Sequence, residues 1–171
     1  MEKRKYIVIT GASSGIGWAM AKAFAERGKH LILIARRLER LEALKSEILK
    51  DHPQLNILVK AADLSQLVNV YQVYDELKTN FIEVWINNAG FGNYAGVADQ
   101  DLKKIETMLH LNVEALTIFS SLYVRDYCNV DGTQLINVSS AGGLYHCPRG
   151  GYLLRRKILC EQFHRRVVPG T

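Results

Sequence analysis

The chain has 171 residues, 48% of them hydrophobic, which is enough to bury the core of one domain. No apolar run approaches the roughly 18 residues of a membrane-spanning helix, and the charged start leads into a short strand-like run rather than a signal peptide, so we expect a cytoplasmic protein. The three cysteines have neither paired nor metal-ligand spacing, which argues against a disulfide framework and against a metal site.

The net charge of +5 comes from the carboxyl-terminal end of the sequence. Residues 144–171 hold six Lys and Arg against one Glu, so the charges of residues 1–143 cancel. This segment has no stacking-aromatic pattern and no recognisable nucleic-acid motif. We therefore expect neither nucleic acid nor a membrane as a partner. We treat residues 1–143 as one domain and residues 144–171 as an atypical basic tail that is not native to its fold.

Strand-like and helix-like segments alternate along the chain. Short β-branched apolar runs predict strands at residues 5–10, 30–35, 55–59, 83–87 and 133–138. Helical spacing predicts a first helix with an apolar stripe of Ile16, Met20 and Phe24, a second with Leu38, Leu41, Leu44 and Ile48, a third with Leu67, Tyr71, Tyr74 and Leu77, and a long helix over about 101–127. This alternation predicts an α/β fold, a doubly wound parallel sheet of about five strands with helices on both faces.

A glycine-rich loop, residues 10–17 (TGASSGIG), joins the first strand to the first helix. Glycines let the backbone turn tightly and approach a pyrophosphate, and the free N–H groups of the helix start face the phosphates. A tight turn without a ligand would use the same residues. The position of the loop after a first strand nevertheless favours a dinucleotide site of the Rossmann type.

Four further segments extend this pattern: Asp63-Leu64, NNAG at residues 87–90, HLNV at residues 110–113 and INVSSAGG at residues 136–143. With the glycine loop, they resemble the classical short-chain dehydrogenase/reductase family in order and spacing over about residues 1–143. The resemblance implies hydride transfer between a nicotinamide cofactor and a small-molecule carbonyl or alcohol. Members of this family are usually homo-oligomers, and we expect the usual interface to be altered or missing here.

The resemblance also implies site residues. The cofactor-binding set is Gly11, Ser13, Ser14, Gly15, Ile16, Gly17, Arg36, Asp63, Leu64, Asn88, Ala89 and Gly90. The catalytic set is Ser140, which would orient the substrate oxygen, and Asn112, which would hold a water in a proton relay. Each has a plainer alternative: Asp63 could cap a helix, and Asn112 could be a satisfied core amide. Asn87 is expected to tie the sheet together.

The end of the second strand bears on cofactor choice. Ala35 stands where NAD-using relatives carry an acidic residue that binds the adenosine ribose. Arg36 and Arg37 follow, and a guanidinium can bind a 2′-phosphate through two hydrogen bonds. The alternative is that both arginines only form the solvated start of a helix. The sequence favours NADP, with NADPH preferred over NADH and Arg36 as the main contact.

The tail lacks the catalytic tyrosine and lysine in register. The family places its tyrosine 13 residues after the serine and its lysine four residues later. Counted from Ser140, the tyrosine position holds Leu153, with Tyr152 one place short, and the lysine position holds Lys157. Back-translated one nucleotide out of phase, residues 144–171 can encode a segment with Tyr-Cys-Ala-Ala-Lys, whose tyrosine is in register. We therefore expect a frameshifted tail on a truncated reductase.

Alternatives to this interpretation remain open. The tail could be a natural divergent segment, or Tyr152 and Lys157 could form a displaced but working pair. With a frameshifted tail, the chain would be an enzyme by descent with low or no activity, because the tyrosine–lysine pair is lost. The second function class is a catalytically inactive nucleotide-binding or interaction module with a basic tail.

Overall fold

The structure, a computed structural model, describes residues 4–92 and 99–139. Its strands are β1 (Lys5–Thr10), β2 (His30–Ala35), β3 (Ile57–Ala61), β4 (Phe81–Asn87) and β5 (Gln134–Asn137). Its α-helices are α1 (Gly15–Glu26), α2 (Leu38–Asp51), α3 (Leu67–Leu77), α4 (Leu102–Leu109) and α5 (Leu116–Tyr127), with a π-helical segment, His110–Ala115, joining the last two. The predictions for Ser140, Tyr152, Lys157 and the tail lie outside the described residues.

The five strands form one parallel sheet in the order β3-β2-β1-β4-β5. The chain moves outward from β1 to β3 and then crosses back, so that β4 lies on the other side of β1. The strand order therefore reverses between β1 and β4, where open α/β sheets bind their ligands. This topology confirms the predicted doubly wound sheet.

Helices pack on both faces of the sheet. On one face, α1 and α2 cover an aliphatic layer from β1, β2 and β3. On the other, α3 and α5 enclose Trp85, whose ring centroid lies 4.8 Å from Phe119, 5.4 Å from Tyr74 and 6.2 Å from Tyr123. Among the described residues, no helix has the length and apolar character needed to cross a membrane.

The predicted buried stripe of α1 is wrong at its first position. Ile16 is 63% exposed, and the helix instead buries Gly17, Ala21 and Ala25 against the sheet. Because these side chains are small, the helix backbone can lie close to the strands. The larger Met20 and Phe24 are only partly buried along its edge.

The stripe of α3 differs in the same way. The buried positions are Val70, Val73, Tyr74 and Leu77, whereas Tyr71 is 53% exposed. With 3.6 residues per turn, Tyr74 lies between Val73 and Tyr71 around the helix, so Tyr71 falls just outside the buried face. The predicted stripe wrongly included Tyr71, because this aromatic residue lies at the edge of the buried face.

Several element boundaries also shift. β3 starts two residues later than predicted, and β4 begins at Phe81 instead of residue 83. α3 begins at Leu67 because residues 63–66 form a turn: Oδ1 of Asp63 accepts hydrogen bonds from the backbone N–H and the hydroxyl of Ser65, at 3.1 and 2.8 Å. Asp63 therefore does not cap α3.

Two tyrosines of α5 support the start of β4, where its pairing with β1 shifts register. The Tyr123 hydroxyl is shared between the carbonyl oxygens of Ile82 and Glu83, at 3.2 and 3.0 Å. The Tyr127 hydroxyl accepts the N–H of Ile82 at 3.0 Å and donates to the carbonyl of Asn80. Hydroxyls from the helix thus satisfy backbone groups at the irregular strand.

Candidate functional site

A cleft with a volume of about 470 Å³ opens above the carboxyl ends of the strands, at the point where the strand order reverses. Most of the predicted cofactor residues line it, namely Gly11, Ser13, Ser14, Gly15, Ile16, Arg36, Asp63, Leu64, Asn88, Ala89 and Gly90. Phe91, Leu111, Val138 and Ser139 close it on the β4–β5 side. In the described part of the chain, no three His, Cys, Asp or Glu residues come together as a metal site would require.

The glycine loop adopts the turn that its composition predicts. Gly11 has a φ of +70°, in the left-handed region that favours glycine. Any Cβ there would also lie 2.8 Å from the Cα of Ala89, which follows β4. Gly11 therefore lets the loops after β1 and β4 meet at the floor of the cleft.

Gly17 is buried and does not line the cleft, which differs from its predicted direct role. A Cβ on Gly17 would lie 2.5 Å from the carbonyl oxygen of Gly11 and 2.6 Å from Nδ2 of Asn88. Its absence lets α1 start close against the loop, so that the N-terminal end of the helix points into the cleft.

Thr10, whose role the sequence does not predict, holds the loop after β4 in place. Its Oγ1 accepts the backbone N–H groups of Asn88 and Ala89, both at 3.0 Å, and donates to the carbonyl of Ile86. Nδ2 of Asn88 returns a bond to the carbonyl of Thr10 at 2.9 Å. Asn88 is thus partly structural, and its backbone position is set by the strand next to it.

A guanidinium lies over the glycine loop. Nη2 of Arg37 donates to Oγ of Ser13 at 3.1 Å and to Oγ of Ser14 at 3.3 Å. Arg36 also lines the cleft and is exposed, next to the buried Ala35 that ends β2. Arg36 is the predicted main contact, whereas the structure adds Arg37 as the arginine bonded to the loop.

Asn112 is buried in the π-helical segment. Its Nδ2 donates to the carbonyl of Phe91 at 2.8 Å, and its Oδ1 accepts the N–H of Phe91 at 3.1 Å. The amide is thus engaged with the loop after β4, as the core-amide alternative predicts. Single-turn π segments inside α-helices often mark functional sites, and the predicted water-holding role of Asn112 stays a prediction.

The described residues place a glycine loop, an arginine pair and the NNAG turn around one cleft, and comparison with known proteins identifies that arrangement. The family model described as short chain dehydrogenase matches residues 5–152. The chain belongs to the short-chain dehydrogenase family. Its members are oxidoreductases. The fold superposes on a solved alcohol dehydrogenase from Comamonas testosteroni with a TM-score of 0.86 at 28% sequence identity, and the match covers 95% of this chain and 67% of that one.

Relatives within the short-chain dehydrogenases support this assignment. An uncharacterized oxidoreductase of Mycobacterium tuberculosis is 33% identical over 147 residues, which cover 85% of this chain and 58% of the relative. A very-long-chain 3-oxoacyl-CoA reductase of Anas platyrhynchos is 30% identical over 166 residues, covering 94% of this chain and 53% of that protein. The chain thus spans little more than half the length of these two relatives.

Among solved structures, a short-chain dehydrogenase from Sphingobium yanoikuyae in complex with NADPH superposes with a TM-score of 0.86. It is 28% identical in sequence, and the match covers 96% of this chain and 66% of that one. The family match also continues past Gly143, the predicted end of the resemblance, as far as Tyr152. The frameshift of the tail stays a prediction.

Proposed function

We propose that this chain binds NADP(H) in the cleft, with NADPH preferred over NADH. The observation that carries the proposal is the contact of Arg37 with the hydroxyls of Ser13 and Ser14, with Arg36 beside it. A 2′-phosphate carries two negative charges and strong acceptor oxygens, which a fixed guanidinium binds through charge-assisted hydrogen bonds. Ala35 offers no carboxylate to repel it.

The remaining residues fit the other parts of the cofactor. The pyrophosphate would lie on the glycine loop at the N-terminal end of α1, whose N–H groups and dipole favour an anion. Asp63 and Leu64 would contact the adenine end, beside the arginine pair. The nicotinamide end would then lie over β4 and β5, where Ala89 and Gly90 line the cleft.

The proposed reaction is hydride transfer between NADP(H) and a small-molecule carbonyl or alcohol, in the cytoplasm, with no part played by nucleic acid or membranes. The cofactor supplies the hydride when it is bound. In this proposal Ser140 orients the substrate oxygen, and Asn112 fixes the loop at Phe91 and serves the proton relay. Because the tyrosine–lysine pair is out of register in the tail, we propose that this chain binds the cofactor with little or no turnover.

Substitution of the arginines tests the proposal. The dissociation constants of NADPH and NADH are measured by fluorescence titration for the wild-type chain and for Arg36→Ala, Arg37→Ala and Arg40→Ala. Arg40 lies in α2, is exposed and does not line the cleft, so it is the matched control. We expect Arg36→Ala and Arg37→Ala each to weaken NADPH binding by about 10-fold or more and to leave NADH binding unchanged. Arg40→Ala should bind both cofactors as the wild-type chain does. An unchanged preference in both variants would refute the proposed phosphate site.

A further inference from the structure

A buried polar network joins β4, β5 and α5 directly below the β4–β5 side of the cleft. Nδ2 of Asn87 donates to Oδ1 of Asn137 at 2.9 Å and to Oγ of Ser120 at 3.1 Å. Oγ of Ser120 donates to Oδ1 of Asn137 at 3.3 Å, and Nε1 of Trp85 donates to Oδ1 of Asn87 at 2.9 Å. Ser120 is fully buried and Asn87 is 3% exposed.

Each strand in this network continues directly into a wall of the cleft. Asn87 is followed by residues 88–90, and Asn137 is followed by Val138 and Ser139, all of which line it. Asn87 and Asn137 stand opposite each other in the parallel pairing, and the N–H of Val138 donates to the carbonyl of Asn87 at 2.9 Å. The distance between these two walls is therefore determined by the pairing of Asn87 with Asn137.

The third member of the network belongs to the helix that carries Asn112. Ser120 lies on α5, which continues without a break from the π-helical segment, and Leu111 of that segment also lines the cleft. The hydroxyl of Ser120 accepts from one strand and donates to the other, so it fixes both strand ends to the helix. Loss of this hydroxyl would free the walls to shift without removing any group that reaches the cleft.

The side chain of Asn137 also has an energetically unfavourable feature that packing alone does not explain. Its Nδ2 is buried and has no hydrogen-bond partner among residues 4–92 and 99–139, while its Oδ1 accepts two bonds. A buried donor without a partner is destabilising, and an apolar side chain at this position would avoid the penalty. An asparagine, unlike an apolar residue, has an acceptor oxygen that binds both Asn87 and Ser120 and so aligns them.

We propose that Ser120 and Asn137 are positioning residues for the nicotinamide half of the cofactor, an inference that rests on the proposed function. The network lies under the β4–β5 walls, whereas the adenosine half is bound on the β2–β3 side by Arg36, Arg37 and Asp63. Misplacement of the walls by a fraction of an ångström weakens the contacts to the nicotinamide end. It leaves the adenosine end intact.

The test compares two ligands on the full 171-residue chain. NADPH reaches both halves of the site, whereas adenosine 2′,5′-bisphosphate reaches only the adenosine half. Ser120→Ala is measured against Ser121→Ala, the neighbouring serine on the same helix, which is exposed. We expect Ser120→Ala to weaken NADPH about 5- to 10-fold and to change the affinity for the bisphosphate by less than 2-fold, with no change for either ligand in Ser121→Ala.

Other outcomes count against the inference in distinct ways. Equal weakening of both ligands, or of neither, overturns the positioning role while the proposed function stands. A wild-type chain that does not bind the bisphosphate overturns the proposed function, and this inference with it. If Ser120→Ala shows no cooperative thermal unfolding, Ser120→Cys, which is close in size and a weaker hydrogen-bonding group, is judged by the same criterion.

Discussion

Asn112 and Phe91 are joined by two hydrogen bonds, one to each polar group of the Phe91 backbone, at 2.8 and 3.1 Å. Asn112 lies in the π-helical segment and Phe91 lines the cleft, so these bonds fix the position of the loop after β4 relative to the helix. A side-chain amide can donate through its nitrogen and accept through its oxygen at the same time. The residue implied as catalytic by family resemblance is therefore also a structural clamp.

Replacement of Asn112 by Leu should therefore affect both stability and binding. The N–H and carbonyl of Phe91 would lose their partners, which costs about 1–3 kcal/mol of unfolding free energy for a buried group. We also expect weaker NADPH binding, because Phe91 and its neighbours form one wall of the cleft. Urea unfolding and fluorescence titration measure the two effects. Glu114→Gln, in the same segment and half-exposed, is the control, and equal values for Asn112→Leu and Glu114→Gln would refute the clamp.

Gly17→Ala should destabilise the fold more than Gly28→Ala. The new Cβ of residue 17 would lie 2.5 Å from the carbonyl oxygen of Gly11, a backbone atom that cannot move without opening the glycine loop. Gly28 has a φ of +72° but open space around it, so its change costs only conformational strain, about 1–2 kcal/mol. Chemical unfolding of both variants, with NADPH titration of each, gives the comparison. A Gly17→Ala variant as stable as Gly28→Ala would contradict the close packing.

Alkaline pH should unfold the chain through two buried tyrosines. Burial raises the pKa of Tyr123 to about 12, and burial with the hydrogen bond to Asp126 also raises the pKa of Tyr74. In the unfolded chain tyrosine titrates near pH 10, so the folded state binds more protons above that pH. The stability contribution is complete below about pH 10 and is lost as the pH rises toward 12.

Urea unfolding between pH 8 and pH 12 measures this dependence. Tyr123→Phe and Tyr74→Phe should each be less stable than the wild type at pH 8, because each hydroxyl bonds buried groups. Both should lose less stability than the wild type between pH 10 and pH 12. Tyr71→Phe, at an exposed position of α3, should follow the wild-type curve. Parallel curves for all four proteins would show that these tyrosines do not govern alkaline unfolding.

Turnover by this chain should be at or near background with carbonyl substrates, even where NADPH binds. A positioned general acid contributes about 10²–10⁴-fold, and the tyrosine expected from the family is absent at its distance from Ser140. Repair of the gene by one nucleotide, so that it encodes the Tyr-Cys-Ala-Ala-Lys segment, should restore turnover. A fully active chain that Tyr152→Phe disables would instead establish the displaced pair. An early stop in the repaired frame would refute the frameshift.

The parallel sheet and the position of the cleft could be predicted from the sequence because strand runs, glycine turns and the order of motifs are local signals. The face of a helix was harder to predict. Because large apolar residues recur every four positions in α1, the predicted buried stripe began at Ile16. The sheet instead selects Gly17, Ala21 and Ala25, since small side chains allow a close approach.

Features that depend on side-chain direction were out of reach of the sequence. Both arginines after β2 could be named, but only the structure shows that Arg37 bonds to Ser13 and Ser14. The π-helical segment around Asn112 changes the hydrogen-bond ladder without any periodic signal in the sequence. Thr10 was also missed, because its role depends on the neighbouring strand β4, far away in the chain.

In our proposal, the cleft selects the 2′-phosphate of NADP(H). Isothermal titration of the wild-type 171-residue chain with NADPH and with NADH, in the same buffer and at the same ionic strength, tests it most directly. We predict that NADPH binds at least about 10-fold more tightly, as one or two added charge-assisted hydrogen bonds would provide. Equal or tighter binding of NADH would contradict the claim.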